Sequence, residues 1–455
     1  MDQIKKIVEK QRLFLNKGEA KDYKFRIESL KSLKKSIKRY ENEIYQALYK
    51  DLGKSFEESF LTEYNMVIGE IDFFIKNLKK LMETKKVSTP LITFKSKGEI
   101  YYEPYGHVLI ISPWNYPFQL TFLPLVGAIA AGNTVLVKPS EFSVNTSELI
   151  EEILKKTFKD DHVSIVQGGV PETSFLLEFK FDYIFFTGSS QVGKIVMKAA
   201  AEHLTPTTLE LGGKSPTIVC QDSDLKIAAK RIVWGKFTNA GQTCIAPDYL
   251  YVHKSVKKKL IKYMIKNIRD FYGEYPKKSS DYGRIITEKH LSRLVGFLNK
   301  EEVLFGGNYD LQEKYMEPTL LEIKDWDHPI MQEEIFGPLL PILEFESLSH
   351  ISEEIKKRPE PLALYLFTKS DKNIDFILKE ISFGGGCIND TILHLASDEM
   401  PFGGVGDSGM GSYHGKYSFE TFSHQKSILN KNFKPDFDLR YPPYGKNIKR
   451  LQKMI

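Results

Sequence analysis

The chain has 455 residues, of which 42% are hydrophobic and 27% charged, with a net charge of +5 and three cysteines. That length exceeds a single hydrophobic core and requires about two or three domains of an ordinary globular protein. The small net charge speaks against a nucleic-acid partner, and three irregularly spaced cysteines exclude a disulfide framework or a Cys-rich metal centre and fit a reducing, cytoplasmic setting.

Residues 1–80 predict long charged helices, with Ile27, Leu30, Leu33 and Ile37 at helical spacing. The first residues are amphipathic and hold no apolar signal core. Residues 84–104 turn polar and then β-like, punctuated by Pro90 and Pro104. From 107 onward, short apolar strands alternate with helices. Strands are predicted at 108–112, 134–138, 163–166 and 183–186, and helices at 120–131 and 146–157. The run 120–131 is interrupted by Pro124 and is too short to cross a bilayer, so no transmembrane segment is expected. Continuous apolar strands between helices imply a parallel sheet covered on both faces. A second α/β pattern follows Gly212-Gly213, with strands at 217–220, 249–253, 338–345, 362–367 and 387–389. Beyond 400 the chain is glycine-rich, then polar and aromatic. It closes on a basic tail with Lys446, Lys449, Arg450 and Lys453, read as a solvated end.

Cys244 stands apart from the other two cysteines. It follows Asn239-Ala240-Gly241-Gln242-Thr243, a small polar stretch that suits an exposed, reactive thiol. Cys220 and Cys387 sit in apolar, strand-like settings, where cysteine behaves as a small hydrophobe.

Gly188-Ser-Ser-Gln-Val-Gly193 follows a predicted strand and opens a helix near residue 190. Such a turn presents free N–H groups and a helix dipole to phosphate. Its spacing fits a dinucleotide-binding fingerprint with Ser190 at the middle glycine, or a tight turn without a ligand. It also nearly matches a nucleotide-hydrolase P-loop through Lys194. Ile195 stands where that motif needs a Mg²⁺-binding hydroxyl, which weighs against phosphoryl transfer. Gly404-Val-Gly406-Asp-Ser-Gly409 has the same letters but no preceding strand, and reads as a turn-rich loop. Lys138-Pro-Ser140-Glu141 closes a strand, where Lys138 and Glu141 suit ribose hydroxyls. Ser140 there equally suits a helix N-cap, with Glu141 in the first turn. Glu210 beside Gly212-Gly213 reads as a dipole partner, a ribose ligand or a general base. Asn115 in Trp114-Asn-Tyr-Pro117 reads as a turn former or an oxyanion donor.

Taken together, 113–117, 138–141, 186–189, 210–215, 241–244 and Glu333-Glu-Ile-Phe-Gly-Pro338 resemble, in order, the motifs of aldehyde dehydrogenases over about residues 10–445. The stretches 244–249, 409–419 and Arg440-Tyr-Pro-Pro443 resemble the class 3 branch. The resemblance implies an α/β aldehyde dehydrogenase fold. Residues 1–83 and 105–210 would form a Rossmann-like NAD(P)-binding domain and 211–396 a related catalytic domain. Residues 84–104 and 397–455 would form an oligomerisation arm and tail, and with them a homodimer. The resemblance implies that Cys244 attacks the aldehyde, Asn115 holds the oxyanion and Glu210 activates water, with Glu334 as the competing base. It also implies a cofactor site of Trp114, Lys138, Ser140, Glu141, Gly188, Ser189, Val192, Gly193, Leu211, Gly212, Glu334 and Phe336. Glu141 would repel a 2′-phosphate and Lys138 attract one, so NAD is expected first and NADP second. The expected reaction is oxidation of a medium- or long-chain, aromatic or terpenoid-type aldehyde to its acid. Water rather than coenzyme A would take the acyl group, and Phe402, Tyr116 and Thr243 would line the aldehyde path. His414 is expected to be a buried structural residue or a gate to that path.

Overall fold

A computed structural model describes residues 1–299, 302–436, 440–444, 448 and 452. The basic residues Lys446, Lys449, Arg450 and Lys453 lie outside the described residues.

The alternating apolar segments assemble into two large sheets. One has six strands in the order Gly409–Met410, Thr207–Glu210, Tyr183–Thr187, His107–Ile111, Thr134–Lys138, Val163–Ile165. Its pairings are parallel except that of Gly409–Met410 with Thr207–Glu210. His107–Ile111 and Thr134–Lys138 are buried at every position, which is why they read as unbroken apolar runs rather than alternating ones. The second sheet has seven strands: Val303–Phe305, Thr319–Glu322, Leu339–Phe345, Tyr249–His253, Pro216–Val219, Ala363–Phe367 and Gly385–Ile388. It is parallel apart from its Val303–Phe305 edge.

Helix Gln119–Ala131 is buried along its whole length, with Pro124 accommodated inside it. The amphipathic helices Tyr23–Arg39 and Asn65–Leu81 pack over it, and they bury Leu30, Leu33, Ile71 and Phe74 completely. Each such side chain contributes about 1.5–3 kcal/mol of burial. A third, antiparallel sheet joins Lys85–Val87, Ser96–Pro104 and Ser423–Lys431, pairing Ser96 with Lys431 and Pro104 with Ser423.

Two local readings change. The helix expected from 146 runs Val144–Thr157 with Ser143 at its N-cap, so Ser140 does not cap it and Glu141 precedes its first turn. Ser140 Oγ instead accepts the Phe142 N–H at 3.3 Å in the preceding turn. The strand Thr207–Glu210 escaped sequence reading because Thr-Thr-Leu-Glu is short and has one apolar residue in four. It is recognisable as a strand only through its neighbour Tyr183–Thr187.

Candidate active site

The carboxyl ends of His107–Ile111, Thr134–Lys138, Tyr183–Thr187 and Thr207–Glu210 lie along one edge of the six-stranded sheet. In a parallel sheet this is where ligands bind. The turns leaving those ends enclose a cavity of about 580 Å³. It is lined by Trp114, Asn115, Lys138, Ser140, Glu141, Gly188, Ser189, Val192, Glu210, Leu211 and Gly212. Cys244, Glu334 and Phe336 complete it from the other half of the molecule. Gly193 is not among the lining residues. It lies behind the cavity in helix Ser190–Ala201, where an added Cβ would sit 2.7 Å from Leu211 Cδ2, so its smallness serves helix–strand packing.

The phosphate-type turn is open. Ser189 caps the helix by accepting the Val192 N–H at 3.4 Å, and the Gly188 N–H is held by the Glu210 carbonyl at 3.0 Å. An N-terminus of this kind leaves donors for an anion. Lys138 is buried. Its Nζ donates to the Pro139 carbonyl at 2.7 Å and faces the Glu141 carboxylate at 3.5 Å, so both ribose candidates sit side by side.

The thiol turn is closed. Asn239, Ala240 and Gly241 have φ of 52°, 50° and 76° in succession. Left-handed backbone at non-glycine residues costs about 1–2 kcal/mol each, and the surroundings hold it in place. The Asn239 N–H donates to Glu58 Oε1 at 2.8 Å. Gln242 Nε2 donates to the Asn239 and Arg284 carbonyls at 3.0 and 2.9 Å, and Gln242 Oε1 accepts the Ile286 N–H at 3.0 Å. Asn115 Nδ2 donates to the Gln242 carbonyl at 3.0 Å, which ties the turn at 113–117 to the thiol turn.

Cys244 is therefore half-buried at the cavity wall, not exposed as its small polar neighbours suggested. Burial pushes its thiol well up, and the nearby Glu334 and Glu210 carboxyls add to the shift, while the Cys244 and Ile245 N–H groups oppose it. Glu210 is 2% exposed, and neither carboxyl oxygen has a hydrogen-bond partner among the described residues. Burial raises it well above the ordinary carboxylate range. An unsatisfied buried polar group costs about 1–3 kcal/mol, so the fold carries this one for a reason other than stability. Glu334 is pushed up to about 8, first by burial and then by Asp248, against the Gly213 N–H and Lys214. A Cβ at Gly212 would lie 2.3 Å from Glu334 Oε2, so only glycine admits this carboxyl.

Sequence reading missed several residues here. His290 stands edge-on to Trp114, with ring centroids 5.1 Å apart, and Trp114 stands edge-on to Phe336 at 5.3 Å. A lone His in a charged helix gives no signal. The buried ion pair Lys54–Glu63 behind Asn115 was equally invisible inside a charged helical stretch. Cys387 lies on strand Gly385–Ile388, half-buried and packed against the hydrophobic core, with Sγ 3.6 Å from His394 Nδ1. His414 is buried, and its Nδ1 lies 3.0 Å from the Leu395 carbonyl.

A cavity at the carboxyl edge of a parallel sheet, beside an open helix N-terminus, defines a dinucleotide-dependent α/β enzyme. Residues 2–428 match the aldehyde dehydrogenase family, and the chain belongs to it. It is 51% identical over 441 residues to the 4,4'-diaponeurosporen-aldehyde dehydrogenase of Staphylococcus aureus, covering 96% of each chain. It is 46% identical to the dimeric NADP-preferring aldehyde dehydrogenase of Mus musculus, over 97% of this chain and 98% of that one. The substrate-bound structure of Staphylococcus aureus AldH superimposes with a TM-score of 0.97 at 50% identity, covering 99% of both chains. The protein is an NAD(P)-dependent enzyme that oxidises aldehydes to acids. The residues fit the cofactor: an open helix terminus for the pyrophosphate, Lys138 and Glu141 for a ribose, and an unpartnered buried carboxyl at the inner end. No helix among the described residues is long and apolar enough to cross a membrane.

Proposed function

We propose that Cys244 is the nucleophile of this oxidation, Asn115 the oxyanion donor and Glu210 the base that activates water. The observation that carries the reading is the unpartnered Glu210 carboxyl, buried on the wall of the cavity that also holds Cys244. The Cys244 sulfur adds to the aldehyde carbon, and its proton leaves to solvent by way of a carboxylate of the cavity, which is left ionised. The Asn115 amide and the Cys244 N–H stabilise the oxygen as it gains charge. The bound nicotinamide supplies the acceptor for the hydride lost from that carbon. Glu210 then takes a proton from a water whose oxygen attacks the thioester carbon. The C–S bond breaks, the sulfur takes the proton held by Glu210, and the acid leaves. Glu210 is favoured over Glu334 as this base because its oxygens are free, whereas Glu334 is engaged by Gly213 and crowded by Gly212. In this reading Glu334 and Phe336 belong to the cofactor site, with Trp114, Ser140, Gly188, Ser189, Val192, Leu211 and Gly212. Gly193 supports that site from behind. Cys244→Ser is expected to abolish NAD(P)H formation from aldehydes while NAD(P) still binds, followed by Trp114 fluorescence. Retained turnover would overturn the assignment.

The finer features of the reading are as follows. The substrate is a medium- or long-chain aliphatic, aromatic or terpenoid-type aldehyde. The name of the staphylococcal relative supports this; Phe402, stacked between His394 and His414, and the Tyr116–Thr243 hydroxyl pair at 2.7 Å lie outside the lining of the cavity. NAD is the first cofactor and NADP the second, because Glu141 opposes a 2′-phosphate. The murine relative, described as NADP-preferring, supports keeping NADP. Residues 1–83 with 105–210 bind cofactor and 211–396 carry the catalysis. Residues 84–104 and 397–455 supply the oligomerisation arm and C-terminal tail of a cytoplasmic homodimer; the sheet of Lys85–Val87, Ser96–Pro104 and Ser423–Lys431 and the relative described as dimeric support the arm, while Gly409–Met410 joins the six-stranded sheet. A screen of NAD(P)H release against aldehyde chain length with both cofactors, and sedimentation of the purified chain, test these points.

A further inference from the structure

Lys54 is completely buried, and what surrounds it is the turn that carries Asn115. Its Nζ pairs with the equally buried Glu63 and donates to the Asn115 carbonyl at 3.0 Å. The same ammonium lies 3.9 Å from the centroid of the Tyr116 ring. Glu63 Oε2 accepts the Phe118 and Gln119 N–H groups at 2.9 and 3.1 Å. The ion pair thus grips both ends of the turn at 115–119. A helix cap alone needs only a small hydroxyl or carboxylate, and a fully buried ion pair is a weak source of stability, so capping does not account for the lysine. Glu63 belongs to the π-helical turn Phe60–Tyr64, a geometry that recurs at functional sites. Just before that turn, Glu58 accepts the Asn239 N–H of the thiol turn at 2.8 Å. One segment therefore holds the two turns whose relative placement sets the distance from amide to sulfur.

We infer that Lys54 is a positioning residue for the aldehyde oxidation. Through the Asn115 carbonyl it fixes the Asn115 amide where the aldehyde oxygen gains negative charge. The inference rests on the reading of Asn115 as the oxyanion donor. Lys54 touches neither the cavity nor the thiol, so its loss raises the barrier to reaction without altering how cofactor is bound.

The test is a double-mutant cycle of Lys54→Met with Asn115→Ala in the full-length enzyme. Lys54→Met is expected to lower kcat about 10²-fold, the low end of the range for a lost oxyanion donor. The KM for NAD(P), and the rate of Cys244 alkylation by iodoacetamide read by peptide mapping, should stay within about twofold, because neither uses the oxyanion site. Adding Asn115→Ala to Lys54→Met should cost less than about threefold more, since the two act as one unit. Multiplicative losses would overturn the inference while leaving Asn115 as donor. An Asn115→Ala enzyme with unchanged kcat would overturn the reading of Asn115, and the inference with it. If Lys54→Met does not fold, Lys54→Met/Glu63→Gln removes both charges and keeps an acceptor for the Phe118 N–H. The same kcat loss is expected there, and full activity would overturn the proposal.

Discussion

At the thiol turn, three consecutive residues hold positive φ, and the Glu58 and Asn115 side chains together with the backbone at 284–286 fasten it, whereas the Gly188 turn, facing the same cavity, has one cap bond and an exposed helix end. The difference follows from what each has to do. A covalent step needs the sulfur within a fraction of an ångström of its target, so strain is held there by surrounding structure. A phosphate needs unsatisfied donors and a dipole, so that turn must be left incomplete. Strength of packing is therefore a guide to the reacting end of this cavity and a poor guide to the binding end.

The comparison breaks most sharply at Glu210, the unfastened group next to the fastened turn. Glu210→Gln is expected to lower kcat by about 10²–10⁴-fold. The thioester should then accumulate on Cys244, seen as an acyl mass increment after mixing with aldehyde and cofactor. No accumulation would move the water-activating role to Glu334. The pH profile carries the same information. Burial raises the Glu210 carboxyl, and the base works only when ionised. The acid limb of kcat should therefore lie above the ordinary carboxylate range, with activity rising as pH increases, and Glu210→Gln should remove it.

A stability measurement tests the thiol turn itself. Gly241 has φ 76°, and an added Cβ would lie 2.3 Å from the Gly337 carbonyl oxygen. Gly241→Ala is expected to cost about 2–4 kcal/mol and lower Tm by about 5 °C or more. Normal Tm and kcat would show that the turn is not fastened as described. A smaller effect is expected at the open end. Glu141→Gln should raise kcat/KM for NADP about fivefold and leave that for NAD within twofold, since one exposed like-charge contact is worth about 1 kcal/mol. The smallest effects belong to the other sulfurs. Cys220→Ala and Cys387→Ser should change kcat by less than about twofold, measured under saturating cofactor, because neither lines the cavity.

The α/β alternation and most parallel strands were legible because buried strands must be continuously apolar and helices must recur at their own period. Val303–Phe305 and Gly409–Met410, both edge pieces, were not, since an edge strand needs only a neighbour and not an apolar pattern. The cavity residues were legible where local chemistry is unusual, as with the glycine turn, Lys138-Pro-Ser-Glu141 and the thiol stretch. Lys54, Glu58 and Glu63 were not, because buried carboxylates and lysines have the same letters as solvated ones. That Lys54 and Glu63 are buried and Glu58 half-buried is a fact about what packs over them.

By itself, the sequence determined which groups are available: a thiol after a Gly-Gln-Thr turn, two carboxyls beside glycines, an amide at a strand end and a helix opening on small residues. These are local properties of short segments. Only the tertiary structure decided that Cys244 is half-buried rather than exposed, that Glu210 is left without a partner, that Gly193 serves packing, and that Lys54 reaches across to Asn115. Exposure, proton affinity and hydrogen-bond satisfaction depend on groups far away in the chain, and no local pattern carries them.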